Sequence, residues 1–350
     1  MQRGFDLPKH KIIKGPYPVI FSNGIGGYHT EYKANGPGVV TGRSGSIGNV
    51  SFIKDNYWPH NTSLWVTNLF DNYPKYVFYL YQRLNLAQFS TGSGVPTLNR
   101  NIVHNQSVAM PKFEEQNRIS TLLEKIDNII TLEQEKLAHY QAMKKALSTS
   151  IFPRNNESLP NLTFNGDSGW KQQKLENFLS IPDKIKVEVT DTDEILSVKL
   201  NTNGVVGGES RSTLKLGATT YYRRYSGQFI YGKQNFFNGA MAIVPESLDG
   251  KVSSGDIPSL NISGINPQFL YEYLSRPYYY KQTETMASGT GSKRIHEKTL
   301  LTFKIKVPNS NVQSNIEYLL ASLSNLIDIQ NNKVKKVEQA KAYLLNNLFV

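Results

Sequence analysis

The sequence contains no cysteine, which excludes disulfide bonds and thiolate metal ligands. No apolar run approaches the length of a membrane span, and the first eleven residues lack the hydrophobic core of a signal peptide. None of the six histidines has the close pair spacing of a zinc site. These absences predict a protein of the reducing cytoplasm that uses no metal, no cofactor and no membrane.

Acidic residues are also in short supply, with 28 Asp and Glu against 39 Lys and Arg. The formal net charge of +11 is spread along the chain rather than held in a tail, which favours an acidic partner, most commonly nucleic acid. From charge alone, a merely basic soluble protein is the alternative. A length of 350 residues with 39% hydrophobic residues predicts two folded domains rather than disorder.

The chain contains an internal repeat. Shifted by 197 residues, 91–153 aligns without a gap on 288–350, so that Gly92 falls on Gly289 and Phe152 on Phe349. Between them, identical or similar residues fill the apolar positions over 63 residues. Such an ungapped register indicates a tandem duplication.

Each repeat ends in a stretch with the heptad spacing of a long helix that packs lengthwise on another helix. One such helix cannot bury its apolar stripe alone, but two copies in one chain can bury each other. The predicted packing residues are Ile119, Leu122, Ile126, Ile129 and Leu147 in the first helix and Ile316, Leu319, Leu323, Leu326 and Leu344 in the second, with a second row beside them through Leu123, Ile130, Leu320, Ile327 and Val334. Both stripes weaken midway, at Glu133/Lys136 and Gln330/Lys333.

Ahead of each helix lies a region rich in Gly, Asn, Ser and Tyr with short β-like runs. The predicted fold class is therefore α+β, a tandem duplication of a mixed α/β globule followed by a long helix, with the two helices packed on each other. The predicted boundaries are 1–110 for the first globule, 111–152 for its helix, 153–169 for a linker, 170–307 for the second globule and 308–350 for its helix.

Several loop residues have the chemistry of DNA contacts, since Arg and Lys suit guanine and phosphate, and Asn and Gln suit adenine. The candidates are Arg43, Ser44, Ser46, Asn49, Asn99 and Arg100 in the first globule, and Arg223, Arg224, Lys233, Gln234, Asn235, Asn238, Ser292, Lys293 and Arg294 in the second. The alternative is that these are ordinary surface turns, and for Arg223 and Arg224 an edge strand. The stretch 288–295 lacks the spacing of a P-loop.

A further interpretation is that the chain is an enzyme, but its sequence motifs argue against this. The glycine-rich stretch 21–27 mimics an S-adenosylmethionine loop, but no Asn/Asp-Pro-Pro-aromatic motif accompanies it. The stretch 181–191 begins like a PD-(D/E)-x-K nuclease, yet no lysine follows Glu188 at two residues.

A resemblance to a known family extends over essentially the whole chain, in the order globule, helix, globule, helix. The stretches that carry it are 3–8, 17–29, 36–48, 93–101, 111–127, 169–179 and 289–308. The chain resembles the specificity (S) subunit of type I restriction–modification systems. The resemblance implies a non-catalytic protein whose two target-recognition domains read the halves of a split double-stranded DNA site. It also implies that the two helices pack as an antiparallel coiled coil, a spacer that holds two methyltransferase (M) subunits, with restriction (R) subunits joining for cleavage.

One departure from that family concerns the start of the first globule. In the second half, Trp170 lies 59 residues before Phe229. In the first half, only 38 residues precede Val39, the counterpart of Phe229, so the first half is expected to be shortened by about 20 residues. A shortened, stand-alone DNA-binding protein, or one that sequesters methyltransferase subunits without productive modification, is therefore the alternative function.

Overall fold

The computed structural model describes residues 1–91, 94–154, 157–166, 169–208, 219–289 and 293–349. The chain forms two compact units, unit 1 (residues 1–137 and 329–350) and unit 2 (residues 138–328). Both boundaries fall inside long helices, so each unit contains one part of each helix. Within the described residues, no helix combines the length and the apolar character that crossing a bilayer requires.

Two helices are far longer than the rest, and both begin two residues later than the sequence predicted. Helix α3 spans Phe113–Ser150 and helix α7 spans Ser310–Leu348, about 57 Å each at 1.5 Å per residue. Glu114 and Glu115 lie in the first turn of α3, where the helix dipole favours negative charge. The shorter helices are α1 (Pro74–Arg83), α2 (Arg100–His104), α4 (Pro267–Leu274), α5 (Pro277–Tyr280) and α6 (Glu297–Leu301).

Among its described residues, the globule of unit 1 contains nine short strands. The four-stranded sheet has the order β1-β7-β4-β5, the three-stranded sheet the order β3-β2-β6, and β8 pairs with β9. The strands are β1 (Gln2–Arg3), β2 (Tyr17–Phe21), β3 (Gly24–His29), β4 (Gly38–Gly42), β5 (Val50–Ile53), β6 (Trp58–Pro59), β7 (Ser63–Trp65), β8 (Ser90–Thr91) and β9 (Thr97–Leu98).

The globule of unit 2 repeats the same four-stranded arrangement as β11-β19-β16-β17. Its other sheets are β12-β15-β18, β10-β20 and β13-β14. The strands are β10 (Lys171–Lys174), β11 (Leu179–Ser180), β12 (Lys186–Val187), β13 (Leu196–Val198), β14 (Val205–Gly207), β15 (Tyr221–Arg223), β16 (Phe229–Tyr231), β17 (Met241–Ile243), β18 (Val252–Ser254), β19 (Ser259–Ile262) and β20 (Lys304–Val307).

The long helices run antiparallel wherever they meet. In unit 1, Ile119 and Leu123 near the start of α3 share a core with Leu344 and Phe349 near the chain's end. In unit 2, Leu147 near the end of α3 packs on the core that contains Ile316 and Leu320 at the start of α7. The predicted fold class, a duplicated α/β globule with an antiparallel helix pair, is therefore confirmed.

The buried seam of the pair follows the second predicted row more closely than the first. Leu123, Leu320 and Ile316 are fully buried, and Ile119, Leu323 and Val334 are less than a tenth exposed. Ile126, Leu147, Leu319 and Leu344 are half-buried. Three predicted packing residues are corrected by the structure, because Leu122, Ile129 and Leu326 lie more than two-fifths exposed on the solvent side of their helices.

The predicted weak point midway along the stripes is a polar contact. The Gln330 side chain, only 4% exposed, donates to the backbone carbonyl and the carboxylate of Glu133, at 2.9 and 2.6 Å. Lys333 pairs with the same carboxylate at 2.7 Å. Hydrogen bonds from Lys333 and Gln330 lower the pKa of Glu133. A buried polar contact of this kind penalises shifted registers of a helix pair, because a shift leaves its members unpaired.

A buried glutamine ties each globule to its long helix. The Gln116 amide accepts from the backbone N–H of Tyr73, the N-cap residue of α1, at 2.8 Å, and donates to the carbonyl of Pro111 at 2.9 Å. Gln313 makes the same two bonds to Asn266, the N-cap of α4, at 2.9 Å, and to Pro308 at 3.0 Å. These glutamines are repeat equivalents.

Candidate nucleic-acid interface

Two loops of unit 1 that are distant in sequence form one surface. Residues 43–49 follow β4, and residues 94–99 include β9. The N–H of Leu98 donates to the carbonyl of Arg43 at 2.7 Å, and Ser44 bridges to Thr97. At Gly42 any side chain is excluded, since a Cβ would lie 1.9 Å from the carbonyl oxygen of Ser46. The glycine therefore lets the loop fold tightly back on itself.

The second globule joins its corresponding loops with the same bond. The N–H of Ile295 donates to the carbonyl of Lys233 at 2.9 Å. Ile295 is the repeat equivalent of Leu98, and Lys233 follows β16 just as Arg43 follows β4. In both halves the predicted contact segments are thus brought together, as 43–49 with 97–100 and as 233–238 with 293–294.

The side chains at these equivalent positions differ. The Lys233 ammonium lies 2.9 Å from the Glu297 carboxylate, and both side chains are about nine-tenths buried. The prediction that Lys233 contacts DNA is therefore corrected, because the side chain is held inside by an ion pair. Burial by itself acts to raise the pKa of Glu297. Hydrogen bonds from its own backbone N–H and from Lys233, together with the positive charges of Lys233 and Lys184, outweigh burial, so the pKa is lowered overall.

In unit 1 the same two places hold cations. Arg43 is half-buried, and Arg100, the repeat equivalent of Glu297, is exposed at the start of α2. Among the residues that the structure describes, no ion pair of either arginine is found. The loop pair of unit 1 therefore presents two positive charges where that of unit 2 has a neutralised pair.

The remaining cations of the second loop pair are at the surface. Lys293 lies 2.8 Å from Glu284, with both side chains about half exposed, and Arg294 lies 3.4 Å from Asp256. With its amide oriented to satisfy both partners, Gln234 accepts from Arg294 at 2.7 and 3.2 Å. Exposed pairs of this kind are weak, so phosphate can replace the carboxylates. Ser292 lies outside the described residues.

The two arginines after Tyr222 serve the core of unit 2. Arg224 is 4% exposed, and its guanidinium donates to the hydroxyls of Ser253 and Ser259 and to two backbone carbonyls. Burial lowers its pKa to about 10, which leaves it charged at neutral pH. Arg223 is half-buried and donates to the Gly250 carbonyl at 2.7 Å. The DNA contact predicted for Arg224 is corrected, and so is the edge strand, since β15 is the middle strand of its sheet.

The candidate polar residues divide into exposed and structural ones. Ser46, Asn49 and Asn238 are exposed, and Ser44 and Asn235 are half-buried. The side-chain oxygen of Asn99 caps α2 by accepting from the N–H of Asn101, while Asn238 donates to Asn235 at 3.1 Å. Asp256, Glu284 and Glu297 were missed as partners of these cations, although the position of Glu297 opposite Arg100 in the repeat could have identified it.

Two similar globules with paired loops, each joined to a helix of an antiparallel pair, define a class of two-domain binding scaffolds. Residues 7–139 and 210–339 match the family described as the type I restriction modification DNA specificity domain. The chain belongs to this family, and it is a specificity subunit of a type I restriction–modification system rather than an enzyme.

Similar proteins agree with this assignment. The chain is 23% identical over 296 residues to the type I restriction enzyme MjaVIII specificity subunit of Methanocaldococcus jannaschii, covering 77% of this chain and 68% of that one. It is 27% identical over 135 residues to the EcoprrI specificity subunit of Escherichia coli, covering 37% and 34%. The fold is similar to that of the type I S subunit from M. genitalium, with a TM-score of 0.63 at 12% identity over 100% of this chain and 93% of that one.

Proposed function

We propose that the chain reads a bipartite, asymmetric site in double-stranded DNA, one half with each globule, and that it does so in the cytoplasm. The observation that carries this proposal is the backbone bond shared by the two halves, Leu98 to Arg43 and Ile295 to Lys233. Because the same loop pair is built twice, each half has an equivalent surface for DNA. Direct base readout needs such exposed polar side chains on a fixed backbone.

The two half-sites differ in sequence under this proposal. At equivalent loop positions unit 1 carries Arg43 and Ser44, whereas in unit 2 the Lys233 side chain is paired with Glu297 and Gln234 is engaged with Arg294. Because different donors and acceptors face the DNA, the bases they select differ as well. A fixed gap between the half-sites follows if the helix pair sets the spacing of the globules.

The helix pair also docks two methyltransferase subunits in this proposal. Ile129 and Leu132 on α3 are 44% and 63% exposed, and their repeat equivalents Leu326 and Ile329 on α7 are 41% and 56% exposed. Apolar side chains left exposed at matching positions favour two copies of one partner. Sequence periodicity had assigned Ile129 and Leu326 to the seam, and the 197-residue offset was the signal that marks them as a repeated surface. Docking of restriction subunits is proposed from family membership.

A second candidate function is sequestration of methyltransferase subunits without productive modification. It is favoured by one observation in unit 1. Val108 and Met110 are each 40% exposed, whereas their repeat equivalents Ile305 and Val307 are buried in unit 2. Incomplete covering of the first globule would weaken reading of one half-site.

Methylome sequencing of cells that express the chain with its methyltransferase subunit tests the proposal. Methylated adenines in a split, asymmetric motif with a constant gap are the expected result. Co-purification of the methyltransferase without new methylation would favour sequestration instead. Absence of both would reject the two functions together.

A further inference from the structure

Unit 2 contains a cleft where the end of α3 meets α4 and α5, and the proposed function does not use it. The cleft has a volume of about 640 Å³. Its walls come from residues 141–154, from residues of α4 and α5 with the two residues between them, and from Ile327 of α7. All of these residues belong to unit 2. A volume of this size is typical of sites for small organic molecules.

Positive charge dominates the walls of this cleft. Among the described residues that line it, four are cations and one is an acid. The acid, Glu272, lies 4.0 Å from the Lys144 ammonium. Lys145, Arg154 and Arg276 have no ion pair within the described part of the chain. The cleft therefore keeps a net positive charge, which favours an anionic ligand.

Arg276 provides the most specific evidence for an anion. Its guanidinium carbon lies 4.1 Å from the centre of the Tyr273 ring and 4.5 Å from that of Phe152, and its Nε donates to the Tyr273 carbonyl at 3.0 Å. Burial lowers the pKa of Arg276. Among the residues that the structure describes, no acceptor is found for its two terminal nitrogens. A half-buried guanidinium held against two rings, with both terminal nitrogens available, suits two-point contact with a phosphate.

The equivalent region of unit 1 has a different composition. At the 197-residue offset, Lys145 and Ser148 correspond to Ala342 and Leu345. Leu345 packs against the core of unit 1, whereas Lys145 and Ser148 line the cleft of unit 2. The cationic cleft is therefore a feature of unit 2 and not a by-product of the repeated fold.

We infer that this cleft binds a nucleoside polyphosphate, with Lys145, Arg154 and Arg276 around its phosphates and Tyr278 against its base. Several phosphates need several cations, and arginine binds each phosphate through two donors. Phosphate groups alone are small for the cleft, whereas a nucleoside adds the organic body that such a volume accommodates. The Tyr278 side chain lines the cleft, is 58% exposed and offers a ring for stacking on a base. The inference does not rest on DNA reading, and it can fail while the proposed function stands.

The test is a titration of the full chain into adenosine triphosphate that carries a fluorophore on its ribose, followed by anisotropy. We expect saturable binding that unlabelled adenosine triphosphate and inorganic tripolyphosphate both displace. Lys145→Glu is expected to weaken binding at least about tenfold, because it replaces an attractive charge by a repulsive one. Lys125→Glu makes the same change of charge at an exposed position of α3 outside the cleft, and as the control it is expected to leave binding unchanged.

A second variant separates the base from the phosphates. Tyr278→Ala is expected to weaken nucleotide binding at least about fivefold, because the base loses its stacking partner. The affinity for tripolyphosphate, measured by calorimetry, is expected to stay the same. Both Lys145 and Tyr278 are exposed, so neither substitution is expected to disturb folding.

Three results would overturn the inference. The first is the absence of saturable nucleotide binding by the original chain. The second is equal nucleotide binding by the Lys145→Glu or the Tyr278→Ala variant. The third is displacement of the nucleotide by a short DNA duplex, because the cleft would then be part of the DNA surface.

Discussion

At the scale of single residues, the loop pairs of the two globules combine one backbone arrangement with different net charges. Arg43 and Arg100 in unit 1 stand where Lys233 and Glu297 form an ion pair in unit 2. Arginine remains charged at any physiological pH and binds phosphate or guanine through two donors at once. Under the proposed function, we therefore expect DNA binding by the first globule to depend more on charge than binding by the second.

Replacing both Arg43 and Arg100 by alanine is expected to weaken DNA binding and to flatten its salt dependence. Each phosphate that the protein no longer neutralises reduces the slope of log K against log[salt] by about 0.9. Lys293→Ala with Arg294→Ala is expected to change the slope in the same direction but less, because carboxylates already neutralise part of that charge. Binding isotherms at several salt concentrations measure both slopes, with Lys125→Ala on an exposed face of α3 as control. An unchanged slope in the first variant would remove its loops from the contact surface.

The Lys233–Glu297 pair makes the stability of unit 2 depend on pH. The folded state lowers the pKa of Glu297 below its ordinary value of 4.5, so this contribution is complete at neutral pH and is lost as pH falls through the folded pKa. Glu297→Gln is expected to destabilise the chain most at neutral pH, and the difference from the original chain is expected to shrink below about pH 4.5. Urea unfolding between pH 7 and pH 3 measures this difference. Glu284→Gln, in an exposed pair, is the control, and an equal pH trend there would contradict the assignment.

The sequence identified most of the loop residues but not which way their side chains point. Arg224 and Arg43 look alike as cations in the sequence, yet Arg224 is buried among serine hydroxyls and carbonyls contributed by residues 253–259. Burial of a charge depends on partners that the fold brings in from other strands. The residues next to Arg224 in the sequence do not indicate those partners.

At the scale of elements, heptad spacing predicted the long helices but left two candidate rows for the seam. Neighbouring residues point about 100° apart on a helix, so Leu122 and Leu123 cannot both face the partner helix. Which row is buried depends on how the helices are rotated against the globule, and α1 decides this in unit 1. Tyr79 of α1 donates to Asp127 at 2.8 Å, and Lys341 of α7 lies 2.6 Å from the same carboxylate.

Alanine at these two adjacent leucines separates the rows. Leu123→Ala is expected to cost about 2–5 kcal/mol of unfolding free energy, because it opens a cavity beside Ile119 and Phe349. Leu122→Ala is expected to cost less than about 1 kcal/mol, since that side chain is 43% exposed. Chemical denaturation measures both. Equal losses would mean that the two rows are buried alike.

The buried glutamine joins α3 to α1 through backbone groups of two separate segments. Gln116→Leu leaves the N–H of Tyr73 and the carbonyl of Pro111 without the amide, and each buried group left unsatisfied costs about 1–3 kcal/mol. The expected result is a loss of stability of that order, measured by urea unfolding. Gln134→Leu is the control, because the bond from Gln134 to Glu338 is exposed. A loss no larger than the control's would show that the glutamine does not hold α1 to α3.

At the scale of the whole molecule, duplication was readable from sequence, whereas the exchange of helix ends was not. Phe349 stacks on Tyr76 of α1 in unit 1, with ring centroids 4.9 Å apart, and its repeat equivalent Phe152 lies 5.8 Å from Phe269 of α4 in unit 2. Each globule is thus completed by the end of the helix that follows the other globule. A contact between residues so distant in sequence arises only from the antiparallel pairing, which local patterns cannot encode.

If the helix pair is the spacer of a bipartite reader, its length sets the gap in the DNA site. Deleting residues 130–136 together with their equivalents 327–333 removes one heptad from each helix. The deletion also removes all three members of the polar contact, Glu133, Gln330 and Lys333, so none of them is left unpaired. Seven residues span about 10.5 Å of helix, close to three base pairs at 3.4 Å each, and return the apolar stripe to nearly the same face.

The double deletion is therefore expected to shorten the gap between methylated half-sites by about three base pairs and to leave the bases of each half-site unchanged. Methylome sequencing reads both quantities at once. Deleting only 130–136 is expected to abolish methylation, because the two stripes then differ by a heptad and the buried Gln330 loses Glu133. A double deletion that methylates with the original gap would show that something other than the helices measures the distance between the half-sites.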